Sequence, residues 1–290
     1  RDPEMSRGLG DVYKRQPGYS TMEFYQEMQG RDPRLTQTVR GPGYTRIGQT
    51  AKLSPDFSCS TTGYQLTKWV TDVSQDGYNK SYNDIILFRA AEVYLNFAEA
   101  KAELGTLTQE DINLSVKRLR DRVGMSNLIL DDANKNPDPY LSDAKTGYPN
   151  VTGANKGVIL EIRRERTIEL AMEGFRYYDI MRWKEGKRFE KPFTGLYFPG
   201  TGSYDLNNDG VDDVCIWSGS KPATSAPAVY ELNKEIFLSG GDSGYIIIHT
   251  DYARSWNEER DYLYPVPTDD RVLTQGAITQ NPGWNDGLNF

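Results

Sequence analysis

The segment 157–185 (GVILEIRRERTIELAMEGFRYYDIMRWKE) restricts the possible folds of this chain more than any other stretch. Its apolar residues cover much more than one stripe, which predicts a single long helix, buried on most sides and ending at Gly186. Carboxylates recur every four residues on one face, at Glu161, Glu165, Glu169 and Glu173. Opposite charges three residues apart are expected to pair: Glu161 with Arg164, Glu173 with Arg176, and Asp179 with Arg182. We interpret these charges as structural ion pairs rather than as catalytic acids.

An earlier segment, 86–104, predicts the first helix of a hairpin. Its apolar and small residues recur at intervals of three and four. Thr108 and Asp111 form a capping-box-like start for a second helix, 109–123, which Gly124 ends. Two helices joined by so short a turn are expected to pack antiparallel, as in tetratricopeptide-type hairpins.

The rest of the chain lacks helical periodicity over most of its length. We expect a short helix at 20–29, a turn at 31–35, loops and short strands over 36–83 and 187–250, a loop over 126–155, and a proline-broken strand at 262–267. The predicted fold class is therefore mainly α, with a loop-rich, short-strand C-terminal region.

Composition excludes several classes of function. The formal net charge is −7 and the isoelectric point about 5.0, so the chain lacks the basic face with which a nucleic-acid-binding protein neutralises phosphates, and we expect no nucleic-acid partner. The longest apolar runs are too short to span a bilayer. Cys59 and Cys215 make neither a metal quartet nor a disulfide framework. His249 is the single histidine, which excludes His-pair zinc motifs, and we interpret it as packed or hydrogen-bonded.

The first sixteen residues, RDPEMSRGLGDVYKRQ, carry no apolar period. They are similar to strings produced when sequencing-adapter DNA is translated. We expect residues 1–16 to be a non-native artefact and residues 17–290 to form the domain.

Five blocks resemble the C-terminal half of the SusD/RagB family, in the same order along the chain. They are RDPRL (31–35), FRAAEVYLNFAEAKAELG (88–105), RLRDRVGM (118–125), ILEIRRERTIELAMEGFRYYDIMRWKEGK (159–187), and the pair YLYPVP with QNPGW near the end. Two departures are Val123, where the family usually has alanine, and Thr268–Asp270, where it usually has an acidic residue directly after the Pro-x-Pro turn. The order of the blocks makes the resemblance specific.

The resemblance implies both a fold and a role. The fold would be a tetratricopeptide-like α-α superhelix, with part of the helical scaffold, the signal peptide and the lipidated cysteine belonging to an N-terminal part outside this sequence. The protein would bind oligosaccharide without cleaving it, on the extracellular face of the outer membrane. Its partner would be a SusC-like TonB-dependent transporter. It would touch the membrane only through the lipid anchor, and it would not be an enzyme.

Sugar recognition needs aromatic planes for the apolar faces of pyranose rings and polar groups for the hydroxyls. The segment after RDPRL supplies both on predicted loops: Tyr44, Arg46, Tyr64, Lys68, Trp69, Asp72 and Tyr78. The alternative interpretation is that these aromatic rings pack against the scaffold.

The segment DLNNDGVDD (205–213) has the oxygen donors of a calcium loop: Asp205, Asn207, Asp209 and Asp213, with Gly210 at the sharp turn. Position twelve is Ile216, so the usual bidentate glutamate is absent. A structural calcium ion and an Asx-rich surface turn are both compatible with this pattern.

Two other classes of function stay open at this stage. One is a helical-repeat adaptor that binds only protein, or a lid on a transporter that binds peptide. The other, which has less support, is a glycoside hydrolase, which needs two carboxylates about 5–10 Å apart in a cleft.

Overall fold

A computed structural model describes residues 18–290, so the predicted artefact at 1–16 lies outside the described residues. The helices are α1 (Phe24–Glu27), α2 (Arg34–Thr38), α3 (Ala90–Glu103), α4 (Gln109–Leu114), α5 (Val116–Asp121), α6 (Leu130–Lys135), α7 (Pro139–Ser142), α8 (Lys156–Glu169), α9 (Phe175–Arg182) and α10 (Thr268–Leu273). The strands are β1 (Thr194–Phe198), β2 (Gly202–Tyr204), β3 (Val214–Trp217), β4 (Ala228–Glu231) and β5 (Gly244–Ile247). Short 3-10 turns lie at Tyr19–Thr21, Val73–Gln75 and Gly186–Glu190.

The chain forms two compact units. The first comprises the described residues up to Gly174 together with Phe193–Ile248, and the second comprises Phe175–Pro192 with His249–Phe290. Within the described residues, helices are the commonest element and the strands are few and short. None of the described helices is long and apolar enough to cross a lipid bilayer.

The predicted hairpin is present in the first unit, with one correction. The Thr108 side chain accepts from the Asp111 amide, and the Asp111 side chain accepts from the Thr108 amide, so the capping box is confirmed. The second helix, predicted as continuous over 109–123, breaks at Ser115 into α4 and α5. The hydroxyl of buried Ser115 donates to the Asp111 carbonyl at 2.6 Å. This carbonyl, four residues earlier, would otherwise accept the helical hydrogen bond from the Ser115 amide.

The long helix predicted over 157–185 is wrong as one element. The chain leaves the helix after Glu169, and Met172 (φ +63°) and Gly174 (φ +85°) adopt left-handed conformations before α9 begins. Cations bind the carbonyls that this break frees. Lys68 Nζ donates to the Ala171 carbonyl at 2.8 Å, and Arg89 Nη2 donates to the Glu169 carbonyl at 2.6 Å. These partners are distant in sequence, so local periodicity could not reveal the break.

The segment 126–155, predicted as loop, contains α6 and α7. Asp138 caps α7, because its side chain accepts from the amides of Tyr140 and Leu141. Helix α8 packs against α3 and α6. The tetratricopeptide-like superhelix stays a prediction, because among the described residues the α3 hairpin packs on the single helix α8.

The strands between 194 and 247 form two small sheets, as the sequence predicts for this region. Strand β1 pairs antiparallel with β5, while β3 lies between antiparallel β2 and parallel β4. These strands, with α1 and α2, enclose one apolar core of the first unit. Its members include Phe24, Leu35, Leu196, Phe198, Val214, Ile216 and Ile246.

The second unit differs from prediction at 262–267, which forms no strand. The backbone of Val266 is satisfied by a side chain instead of a strand partner: its amide donates to Gln280 Oε1 at 2.7 Å, and Gln280 Nε2 donates to its carbonyl at 3.0 Å. Thr268, directly after the prolines, begins α10. His249, which we expected to be packed or hydrogen-bonded, is exposed with φ +56°, and its backbone carbonyl accepts from the Tyr252 amide at 3.2 Å.

Candidate functional site

A network of buried ion pairs holds α8 against α2 and the segments around α3 and α5. At its centre, Glu169 accepts from Arg34 Nη1 at 3.0 Å, Arg89 Nη1 at 2.7 Å and Arg122 Nη2 at 2.9 Å. Burial alone would raise the pKa of Glu169, but hydrogen bonds from Arg89 and Arg34 outweigh it and the pKa lies below its usual value. Glu169 therefore remains ionised at neutral pH.

Glu165 extends the network one turn earlier in α8. Its Oε1 lies 2.5 Å from Arg34 Nη1 and its Oε2 accepts from Arg120 Nε at 3.0 Å. Arg34 is also held by Asp32, whose Oδ2 lies 2.6 Å from Nη2. Because the side chains of Arg34 and Glu165 are only 3% and 1% exposed, these charges depend on each other for stabilisation.

The other carboxylates of the segment 157–185 discussed above are also bound by cations. Glu161 pairs with Arg164, as predicted from their spacing, and in the second unit Asp179 pairs with Arg182 at 2.7 Å. Glu173 accepts from Lys68 and Arg89, which come from two other segments. The interpretation of these glutamates as structural ion pairs fits this geometry.

A cavity of about 270 Å³ lies beside the network. It is lined by Arg34, Gln37, Thr38, Lys68, Trp69, Ile86, Arg89, Arg122, Ile168, Glu169 and Glu173. Trp69 remains 43% exposed, and Lys68 Nζ lies 5.5 Å from the centroid of its ring. An exposed aromatic plane next to guanidinium, ammonium and amide groups is the combination that sugar recognition requires. We call this the Trp69 cavity.

The backbone at Trp69 adopts an unusual conformation. Its φ is +68°, which a bulky residue adopts only at an energetic cost of about 1–3 kcal/mol. Asn83 Nδ2 donates to the Trp69 carbonyl at 2.5 Å, which ties the loop in place. Strain of this kind concentrates at binding sites, and here it accompanies an indole ring that is left partly in solvent.

The other predicted ligand residues fall into two groups. Tyr78 lies on the surface, 94% exposed. Arg46 is engaged with Asp76, to which it donates at 2.7 and 2.9 Å, and Asp72 accepts from the Ser74 amide at 2.8 Å. Arg46 and Asp72 thus serve the local structure of their loop, and neither lines the Trp69 cavity.

Tyr64 and Tyr44 fit better the interpretation that aromatic rings of this region pack against the scaffold. Tyr64 packs against the core, with its ring centroid 6.0 Å from that of Phe24, and its hydroxyl donates to Glu27. Tyr44 is half-buried, with the Arg40 guanidinium 5.6 Å from its ring. Both rings carry scaffold contacts instead of forming an open platform.

The sequence interpretation missed Gln37, Arg89 and Arg122 as members of the site. Arg89 and Arg122 lie within the blocks 88–105 and 118–125, and Gln37 follows the block 31–35 closely. The sequence offered one clue: arginines occur in separate blocks, and one predicted helix carries regularly spaced carboxylates with which they could pair. Their convergence on Glu169 depends on tertiary contacts that no spacing within one block encodes.

The 205–213 segment forms the turn between β2 and β3. Asp205 accepts from the amides of Asn207, Asp209 and Gly210, at 3.2, 3.2 and 2.7 Å. Burial and the charges of Asp209 and Asp205 raise the pKa of Asp213. Among the described residues, no group of three or more His, Cys, Asp or Glu side chains is arranged to hold a metal ion. In this arrangement the loop is a hydrogen-bonded turn, and bound calcium stays a prediction.

Calorimetry tests the calcium hypothesis. If Asp205, Asn207, Asp209 and Asp213 close around the ion, calcium titration releases or absorbs heat, and Asp209→Ala abolishes the signal. Calcium would also raise the unfolding temperature, since it would relieve the repulsion around Asp213. The matched control is Asp242→Ala, a change in an exposed turn. A flat titration of the unsubstituted protein would leave these residues with a purely structural role.

Comparison with known proteins identifies the family. A model of the SusD family matches residues 5–284. The chain belongs to the SusD family. A SusD-like protein from Bacteroides fragilis has 21% identity and a TM-score of 0.57, over 97% of this chain and 46% of its own. A SusD-like carbohydrate binding protein from the same species has 24% identity and a TM-score of 0.53, over 89% and 43% respectively.

These likenesses establish the fold and the relative length. This SusD-family chain spans less than half the length of the two B. fragilis proteins. Among curated proteins, none matches the chain.

Proposed function

We propose that this chain is part of a cell-surface protein that binds an oligosaccharide without cleaving it. The observation that carries this proposal is the exposed Trp69 ring at the rim of a cavity lined by charged and amide side chains. Membership of the SusD family supports it, and so does the description of one structural neighbour as a carbohydrate binding protein.

In the proposed complex, the apolar face of one pyranose ring stacks on Trp69. Gln37 and Arg122 are the polar groups at the cavity that are best placed to bind hydroxyls, because both side chains retain solvent exposure. The charged residues behind them are already locked by ion pairs. A preformed site of this kind loses little conformational entropy when the ligand binds.

The proposal includes no catalytic step. A glycoside hydrolase needs one carboxylic acid that is protonated and a second carboxylate free to act as base or nucleophile. Glu169, the carboxylate at the Trp69 cavity with the most cationic partners, has a lowered pKa, so it is unsuited to the role of acid. Glu173 beside it is bound by Lys68 and Arg89.

The proposed cellular setting follows family membership. The complete protein would be held on the outward face of the outer membrane by a lipid anchor. It would pass its ligand to a SusC-like TonB-dependent transporter. The sugar site and the transporter contact are separate surfaces in this proposal.

A second candidate function is protein or peptide binding, and one observation favours it. Apolar side chains on and after α3 lie open to solvent: Val93 is 65% exposed and Leu104 76% exposed. Phe97 lies between them on the same helix and is also exposed. An apolar stripe of this kind typically contacts protein. A transporter or a peptide ligand would therefore bind this stripe rather than the Trp69 cavity.

Replacing Trp69 with alanine tests the sugar proposal. A glycan array identifies the ligand, and calorimetry then measures its affinity. We expect Trp69→Ala to weaken binding by about 10-fold or more, since a stacked tryptophan is often a dominant contact. Tyr252→Ala, which removes an exposed aromatic ring from the second unit, is the matched control and should leave affinity unchanged. Equal affinity of folded Trp69→Ala and the unsubstituted protein would refute the assignment.

A further inference from the structure

The charged groups that line the Trp69 cavity differ in how far solvent reaches them. The side chains of Arg122, Arg89 and Lys68 are 49%, 24% and 19% exposed. The two carboxylates of the same lining, Glu169 and Glu173, are only 2% and 8% exposed. A ligand that enters the cavity therefore contacts cations much more than carboxylates.

Both carboxylates are also occupied as hydrogen-bond acceptors. Glu169 Oε1 accepts from Arg89 at 2.7 Å and from Arg122 at 3.1 Å, and its Oε2 accepts from Arg34 at 3.0 Å. Glu173 Oε1 accepts from Arg89 Nη2 at 2.8 Å, and its Oε2 accepts from Arg89 Nε at 2.7 Å. Among the described residues of the lining, no exposed carboxylate is free to accept from a sugar hydroxyl.

Arg122 keeps donors for a ligand. Its Nη2 donates to Glu169, while Nε and Nη1 have no hydrogen-bond partner within residues 18–290. Gln37, which is exposed in the same lining, adds an amide donor. A guanidinium binds a carboxylate or a sulfate more strongly than a hydroxyl, because the hydrogen bonds are then charge-assisted on both sides.

The acidic character of the whole chain does not oppose an anion at this cavity. The net charge of −7 is spread over the molecule, and charges in solvent are screened beyond about 8 Å at physiological ionic strength. Within the lining, Arg34 is neutralised by Asp32 and Glu165. The other three lining cations still outnumber the two lining carboxylates. The local charge that a ligand meets is therefore positive.

We propose that the Trp69 cavity selects an acidic oligosaccharide, one that carries a carboxylate or a sulfate group. The anionic group accepts from Arg122, Gln37 donates to a neighbouring ring substituent, and an apolar sugar face stacks on Trp69. This preference rests on the proposed function, since it concerns the ligand of the same cavity.

Calorimetry with matched acidic and neutral sugars tests the preference. The carboxylate probes are trigalacturonate and a hyaluronan tetrasaccharide, and the sulfate probe is a κ-carrageenan tetrasaccharide. Each is compared with its carboxyl-reduced or desulfated form. We expect at least one acidic probe to bind at least 10-fold more tightly than its neutral counterpart. Raising NaCl from 50 to 500 mM should weaken the acidic probe at least threefold, because Arg122 is half exposed.

Substitution of Arg122 locates the preference. Arg122→Gln should weaken the acidic probe at least 10-fold and its neutral counterpart less than twofold. Arg118→Gln is the matched control, since it removes an exposed arginine of α5 that does not line the cavity, and it should change either affinity less than twofold.

Three results would overturn the acidic preference: no binding of any acidic probe, equal affinity for every acidic and neutral pair, or equal weakening of both forms by Arg122→Gln. The first two comparisons use the unsubstituted protein, so they do not depend on the folding of a variant. Trp69→Ala separates this failure from failure of the proposed function. If Trp69→Ala weakens a neutral sugar while acidic probes bind no better, the cavity still binds sugar and only the preference is wrong.

Discussion

Glu169→Ala is expected to lower the free energy of unfolding by about 3–5 kcal/mol, the usual cost of breaking a buried ion pair. Glu169 is buried and is the shared partner of Arg34, Arg89 and Arg122. Without it, buried Arg34 loses one of its carboxylates and the ends of α2, α3 and α5 lose their common contact. Chemical denaturation followed by circular dichroism measures the change.

Two further variants test whether the loss of stability is specific to the ion pairs of Glu169. Glu110→Ala removes an exposed glutamate from α4 and should change stability by no more than about 0.5 kcal/mol. Glu169→Gln keeps the size and one acceptor oxygen, so it should cost less than alanine. If Glu169→Ala were as stable as the unsubstituted protein, the central role of this carboxylate in the network would have to be abandoned.

The network also explains why the sequence predicted α8 well and its end badly. Regular carboxylates between apolar residues indicated a buried, ion-paired helix, and α8 is buried along almost its whole length. The helix ends where Lys68 and Arg89 bind its terminal carbonyls. Those two cations lie about 80–100 residues earlier in the chain. A pattern read within one window holds no information about such partners.

For the loops, too, the sequence predicted one property and missed another. The sequence correctly placed aromatic residues on irregular segments after RDPRL, but it could not distinguish Tyr64 from Trp69. Tyr64 turns toward Phe24 and the core, whereas the backbone at Trp69, with φ +68°, leaves the indole partly in solvent. Local composition is similar around both rings. The difference arises from which residues the folded loop meets, so it required coordinates.

Family resemblance and physical pattern supplied different parts of the interpretation. The ordered blocks predicted the family, which the match over residues 5–284 confirms. Periodicity predicted α3, and the spacing of Thr108 and Asp111 predicted the capping box of α4. Neither predicted α6 and α7, because both lie in a segment whose Asp, Asn and Pro content indicated a loop. Side chains that cap short helices are the same residue types that form turns.

Gly157→Ala is expected to destabilise the first unit by about 1–3 kcal/mol, the typical cost of overpacking. A Cβ atom built on Gly157 would lie 1.8 Å from the Ala133 carbonyl oxygen and 2.9 Å from the Asn134 Cα. These are backbone atoms of α6, so no side-chain rotation relieves the clash and α6 must move away from α8. Asn134 Oδ1, which accepts from the Val158 amide at 2.9 Å, would lose that bond as well.

Thermal unfolding measures the loss, and a second glycine supplies the control. Gly77→Ala introduces the same methyl group where the three nearest atoms belong to the flexible Lys80 side chain, so it should be nearly neutral. A Gly157→Ala protein as stable as Gly77→Ala would show that α6 does not pack this closely on α8.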